Sequence, residues 1–185
     1  MNAPIAAAIR TADESALVAA AAILDDGSLD VDNLLSQVVA TLRDAGRSVR
    51  GLLMTHPDGE VGCAAAMVLV DINTGADFLV SQPLGRDSNA CRADTQGFAR
   101  ASVVLRDALA AAPDLVVSNR FGGLEAEGGG FASELLALMA QGVPVLTVVA
   151  TRHVATWQQF TGGAPVLAAD AAAVQAWLDQ VLAPR

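Results

Sequence analysis

Apolar positions along this chain fall into two kinds of run: short continuous blocks, and stretches spaced three and four apart. Leu17 to Leu24 (LVAAAAIL) is a continuous block ended by Asp25-Asp26-Gly27-Ser28, the pattern of a buried strand entering a turn. From Val31 to Ala45 the apolar residues Leu34, Leu35, Val38, Val39 and Leu42 recur at helical spacing, with Asp30 in the N-cap position and Gly46 at the stop. Ser48 to Met54 (SVRGLLM) reads as the next strand. Strand, helix and strand within about 40 residues predict a right-handed βαβ unit, because parallel strands need a crossover of a dozen or more residues.

The middle of the chain differs. Ala66 to Asp71 and Asp77 to Ser81 flank the polar link Ile72-Asn73-Thr74-Gly75-Ala76, which predicts a β-hairpin. Gln82 to Asp94 is too polar and broken for a core element. Beyond it the pattern predicts a helix over Thr95 to Ala111, a strand over Leu115 to Ser118, a helix over Phe131 to Gln141 and a buried strand over Pro144 to Ala150. Arg152 to Phe160 and a last helix, Ala169 to Leu182, close the chain. Strands with continuous apolar runs, alternating with helices, imply an α/β fold whose mainly parallel sheet is covered by helices on both faces, with the hairpin inserted. Residues 1–14 are expected to be a loose end and 15–185 a single domain.

Composition removes several functions. The 11 Lys+Arg are all arginine, so there is no lysine for the phosphate loop GxxxxGK[ST], whose ammonium sits on the β/γ-phosphates. A guanidinium fork does not fit that cradle as a point charge does. The net charge of −9 argues against a nucleic-acid partner, which requires Lys and Arg to neutralise phosphates. No apolar run approaches the ~20 residues that span a bilayer, so no membrane partner is expected. With no basic n-region at the start and with Cys63 and Cys91 outside any CxxC pair, the expectation is a cytoplasmic protein with reduced thiols.

The richest segment for chemistry is Asp114 to Leu136 (DLVVSNRFGGLEAEGGGFASELL), a strand that passes through a glycine-rich loop into a helix. Such a junction presents backbone N–H groups to an anion at the carboxyl end of a sheet. Gly122, Gly123, Gly128, Gly129 and Gly130 would supply those N–H groups, Arg120 a clamp, Asn119 a further polar group, and Glu125 or Glu127 a carboxylate to orient a water or a metal. The same glycines also suit a plain flexible connection, and Asn119 a turn. In Gln82 to Asp94, Arg86 and Arg92 with Ser88 offer donors for a tetrahedral anion, and Cys91 in the same loop is a candidate low-pKa thiol or an inert one. His56 and His153 each follow a predicted strand end, and His56 is a candidate member of the ligand site. The first βα turn, Asp25 to Asp32, holds four carboxylates that repel phosphate. It reads either as a solvated turn with a capped helix or as an oxygen site for magnesium.

Taken together, the hairpin DINTG, the loop SQPLGRDSNACRAD, the segment DLVVSNRFGGLEAEGGGF, PVLTVV and TWQQFTGG resemble a bacterial family of unknown function, over about Leu17 to Gly163. Members of that family are described as NTPase-like and occur near molybdate transport genes. More distantly, the chain is similar to the thermophilic-type nucleoside triphosphatases, with Glu125 matching the glutamate of an Ile-Gly-x-Met-Glu-like turn. This chain departs from them in two places, having Asp25-Asp26-Gly27-Ser28 where they carry a P-loop and Asn119-Arg120 where they carry Asp-Glu. The resemblance implies a P-loop-NTPase-like fold that has lost its phosphate loop and binds an oxyanion such as molybdate or tungstate. Three readings stay open. The first is a non-hydrolysing binding protein for a small anionic ligand. The second is a divergent magnesium-dependent phosphohydrolase acting through Glu125, the one reading that calls for magnesium. The third is an oligomeric interaction module with a vestigial site, in which the chain pairs with its own copies.

Overall fold

The computed structural model describes residues 19–55, 66–82 and 92–182. Strand β1 (Ala20–Asp25) leads into helix α1 (Val31–Asp44), and strand β2 (Val49–Thr55) follows. Asp30 caps α1 by accepting from the Asn33 N–H at 3.0 Å, and Gly46 at φ 78° ends it, as the sequence pattern predicts. Strands β3 (Val68–Asp71) and β4 (Asp77–Leu79) form the antiparallel hairpin. A two-residue pair, β5 (Ser81–Gln82) with β6 (Arg92–Ala93), precedes helix α2 (Thr95–Ala111). Then come β7 (Leu115–Phe121), the single turn α3 (Gly123–Ala126), α4 (Ala132–Ala140), β8 (Val145–Ala150), a 3-10 turn (Thr151–His153), α5 (Val154–Thr161), β9 (Val166–Leu167) and α6 (Ala171–Val181).

Seven strands make one mixed sheet in the order β4-β3-β2-β7-β8-β1-β9. The five strands from β2 to β9 run parallel, and the hairpin adds two antiparallel strands at one edge. Residues of β1 alternate between two cores. Ala20 and Ala22 join the α2, α4 and α5 side chains Leu105, Leu135, Leu138 and Trp157, while Ala21 and Ile23 join Leu35 and Val39 of α1 and Trp177 and Leu178 of α6. This double burial is why the parallel strands read as continuous apolar runs. Small residues matter where layers touch. A Cβ on Gly51, at φ 117°, would lie 1.9 Å from the Val117 carbonyl oxygen on the neighbouring strand. Among the described residues no helix is long and apolar enough to cross a membrane.

Four elements escape the sequence pattern. β6, β9 and α3 are too short to show a period, and β7 runs past Ser118 to Phe121. Phe121 is buried at 1% exposure against Trp157 and Phe160, with ring centroids 5.4 and 5.1 Å away, and this contact draws the chain onward through the polar pair Asn119-Arg120.

Candidate functional site

β8 lies between β1 and β7, so the carboxyl ends of these three strands define one edge of the sheet, where open α/β folds place their ligands. The pairing of β7 with β8 is irregular there: Ser118 faces Thr147 and Phe121 faces Val149, three steps on one strand against two on the other. The extra residue is a bulge, and Arg120 within it has φ 153°, an unusual value for a residue with a Cβ. Consecutive strand residues normally point to opposite faces. The bulge allows Asn119 and Arg120 both to reach Asp32 on α1.

The Arg120 guanidinium bridges two carboxylates. Its Nη1 donates to Asp25 Oδ2 at 2.5 Å, and its Nη2 lies 3.3 Å from both oxygens of Asp32. Asn119 Nδ2 donates to Asp32 Oδ1 at 3.2 Å. Burial by itself lowers the guanidinium pKa, but the bond to Asp25 and the charges of Asp32 and Asp25 outweigh it and hold the group above its ordinary value. Asn119 Oδ1 and Ser118 Oγ are buried without a hydrogen-bond partner.

The turn from β1 to α1 occupies its own N–H groups. Asp25 Oδ1 accepts from Gly27 at 3.2 Å, Asp26 Oδ1 from Ser28 at 2.9 Å and Asp30 Oδ1 from Asn33 at 3.0 Å. Bonds from the Ser28 side chain and backbone hold the Asp26 carboxyl below its usual value. Three of the N–H groups that a phosphate could take in this position are thus already held by carboxylates of the chain.

The glycine-rich loop repeats the arrangement. Glu125, 4% exposed, accepts from the Gly122 N–H with Oε2 at 3.0 Å and from the Phe131 N–H, at the start of α4, with Oε1 at 3.1 Å. Gly130, at φ 54°, passes so close that a Cβ there would lie 2.1 Å from Glu125 Oε1. The Gly128 and Gly129 N–H groups bond to the carbonyls of Glu125 and Leu124, and Gly123 opens α3.

The expected site residues therefore divide. Asn119 and Arg120 come together with Asp25 and Asp32, whereas Glu125, Gly122 and Gly130 form a separate, closed loop with Gly128 and Gly129. His56, Arg86, Ser88 and Cys91 lie outside the described residues, and Arg92 is described only as a backbone position in β6. His153 Nε2 accepts from Arg152 Nε at 3.1 Å in the 3-10 turn after β8. Capping and solvation account for Asp25 and Asp32 in the sequence, and their pairing with an arginine 95 and 88 positions away leaves no local signal. Among the described residues, no three His, Cys, Asp or Glu side chains converge as a metal group.

The mixed, mainly parallel sheet, with the ends of β1, β7 and β8 at one edge, is a nucleoside-triphosphatase-like fold. The chain is similar in fold to the solution structure of a human cancer-related nucleoside triphosphatase, with a TM-score of 0.59 over 86% of this chain and 93% of that one at 15% identity. It belongs to the family described as "Protein of unknown function (DUF2478)", whose model matches residues 20–177. It is also 37% identical over 158 residues to the molybdenum import ATP-binding protein ModC 2 of Bradyrhizobium diazoefficiens. That match takes in 85% of this chain and 18% of the relative, so the chain spans less than a fifth of that protein's length.

Proposed function

We propose that this chain is a non-hydrolysing binding protein for a small oxyanion or phosphate-bearing ligand, acting in molybdenum handling. One observation carries the non-hydrolysing part. In a chain without lysine, the N–H groups of Gly27, Ser28 and Asn33 at the phosphate-loop position are held by Asp25, Asp26 and Asp30. A nucleotide triphosphate entering there would meet four carboxylates and no lysine. The Arg120 guanidinium, 36% exposed at the same edge, has the chemistry to hold an anion, and Arg86 and Arg92 are candidates to join it. The relative named for molybdenum import supports molybdate and tungstate as the first ligands to test.

Titration calorimetry with molybdate, tungstate, sulfate, phosphate, ATP and GTP tests the reading. Expected is heat from at least one tetrahedral oxyanion, lost in Arg120→Ala, with no phosphate released from ATP in the presence of magnesium. Silence across the panel sinks the binding reading. Magnesium-dependent phosphate release that disappears in Glu125→Gln puts the phosphohydrolase in its place.

A further inference from the structure

We propose that the Asp32 carboxylate is an internal stand-in for the ligand: it fills the place where a tetrahedral oxyanion meets Arg120 Nη2 and Asn119 Nδ2, and the ligand binds by displacing it. The proposal rests on the oxyanion reading above and adds how that site is closed and which amide shares it. Donors from the bulged end of β7 converge on this one group. Asn119 Nδ2 donates to Oδ1 at 3.2 Å, and Arg120 Nη2 lies 3.3 Å from both Oδ1 and Oδ2. The paired oxygens of a carboxylate offer a guanidinium and an amide N–H the same kind of acceptor as one edge of molybdate, sulfate or phosphate.

The two carboxylates at Arg120 are held differently. Asp25 closes β1; its Oδ1 accepts from the Gly27 N–H at 3.2 Å and its Oδ2 from Arg120 Nη1 at 2.5 Å. Asp32 hangs from the first turn of α1 and meets the guanidinium at the longer 3.3 Å. Asp30, not Asp32, caps that helix, so Asp32 can change rotamer without uncapping α1. Asp25 therefore anchors the guanidinium by one terminal nitrogen, while Asp32 covers the other. With both carboxylates in place the cluster carries an excess of negative charge, which repels a second anion. With Asp32 turned out, Arg120 and Asp25 balance each other. The Asn119 amide, 3% exposed, then loses the acceptor of its Nδ2, and a buried donor without an acceptor is costly. The place is thus built to be filled by an oxygen anion, either the chain's own or a ligand's.

Titration calorimetry of the unaltered chain and of Asp32→Ala with molybdate, sulfate and phosphate tests the stand-in, with circular dichroism to verify folding. Asp32→Ala should bind the preferred oxyanion about ten-fold more tightly, because the unaltered chain is competent only in the fraction that has Asp32 displaced. Adding Arg120→Ala should abolish this binding, and adding Asn119→Ala should weaken it. Asp44→Ala removes the same charge from the exposed far end of α1 and should leave the affinity of the unaltered chain as it was. An equal gain in Asp44→Ala, or a gain that neither Arg120→Ala nor Asn119→Ala diminishes, overturns the proposal. If Asp32→Ala does not fold, the isosteric Asp32→Asn is read in the same way. Equal affinity in the unaltered chain and Asp32→Ala refutes the stand-in and leaves the binding reading intact. Silence in the unaltered chain beside Arg120-dependent binding in Asp32→Ala upholds the stand-in and refutes binding by the unaltered chain. Silence in both refutes both.

Discussion

Arg120, near the end of β7, reaches past β8 to donate to Asp25 at the end of β1, joining the carboxyl ends of two strands that are not sheet neighbours. With Asp32 on α1 it closes a three-element clasp over that edge. The guanidinium is partly exposed, so each contact is screened, yet removing it leaves two carboxylates facing each other. Arg120→Met should lower stability by about 1–2 kcal/mol, measured by urea denaturation. The double variant Arg120→Met/Asp32→Asn should recover part of that loss, and a strictly additive double variant contradicts the clasp.

Glu125 works as a buried staple between Gly122 and Phe131. Glu125→Ala strands two backbone donors and should cost about 2–4 kcal/mol, whereas Glu125→Gln keeps an acceptor and should cost less. Thermal unfolding of the two variants checks the order. Equal melting temperatures for Glu125→Ala and the unaltered chain would remove the structural role.

Glycines of the same loop should respond unequally. Gly130→Ala combines φ 54° with a 2.1 Å approach to Glu125 Oε1, while Gly128→Ala, at φ 82°, meets nothing within 4 Å. Gly128→Ala should cost about 1 kcal/mol from backbone strain alone, and Gly130→Ala visibly more because the staple must shift. A chemical denaturation series compares them directly.

Acid should act on the β1–α1 turn in a defined direction. The Asp26 carboxyl lies below its ordinary value of 3.8, chiefly through the Ser28 hydroxyl and then the Ser28 N–H. A depressed folded value means that its contribution to stability is present above the unfolded value and is lost as the pH falls through the folded one. Ser28→Ala should raise the Asp26 value toward 3.8, followed by carboxyl NMR titration. No upward movement would show that the hydroxyl does not hold the charge.

Much of the architecture is legible in the order of residues. Helical spacing and continuous apolar runs both reflect burial, on one face and on two, and burial is written into Leu35, Val39 and Leu42 on α1 and into VLTVVA of β8. Asp30 and Gly46 mark the ends of α1 because capping depends on immediate neighbours. β9 is hidden because two residues carry no period, and the end of β7 because Phe121 is held by Trp157 and Phe160, aromatic side chains far along the chain.

The absence of lysine and the acidic first turn are both plain in the amino-acid order, because they depend on residue type alone. Where each charge goes is a matter of folding. Asp25, Asp32 and Arg120 become neighbours only when the sheet sets β1, β8 and β7 side by side, and Asn119 and Arg120 share a face only because of a bulge. Coulomb attraction and hydrogen bonding act over a few ångströms, and the distance between residues 25 and 120 is set by the sheet, not by the 95 positions that separate them along the chain.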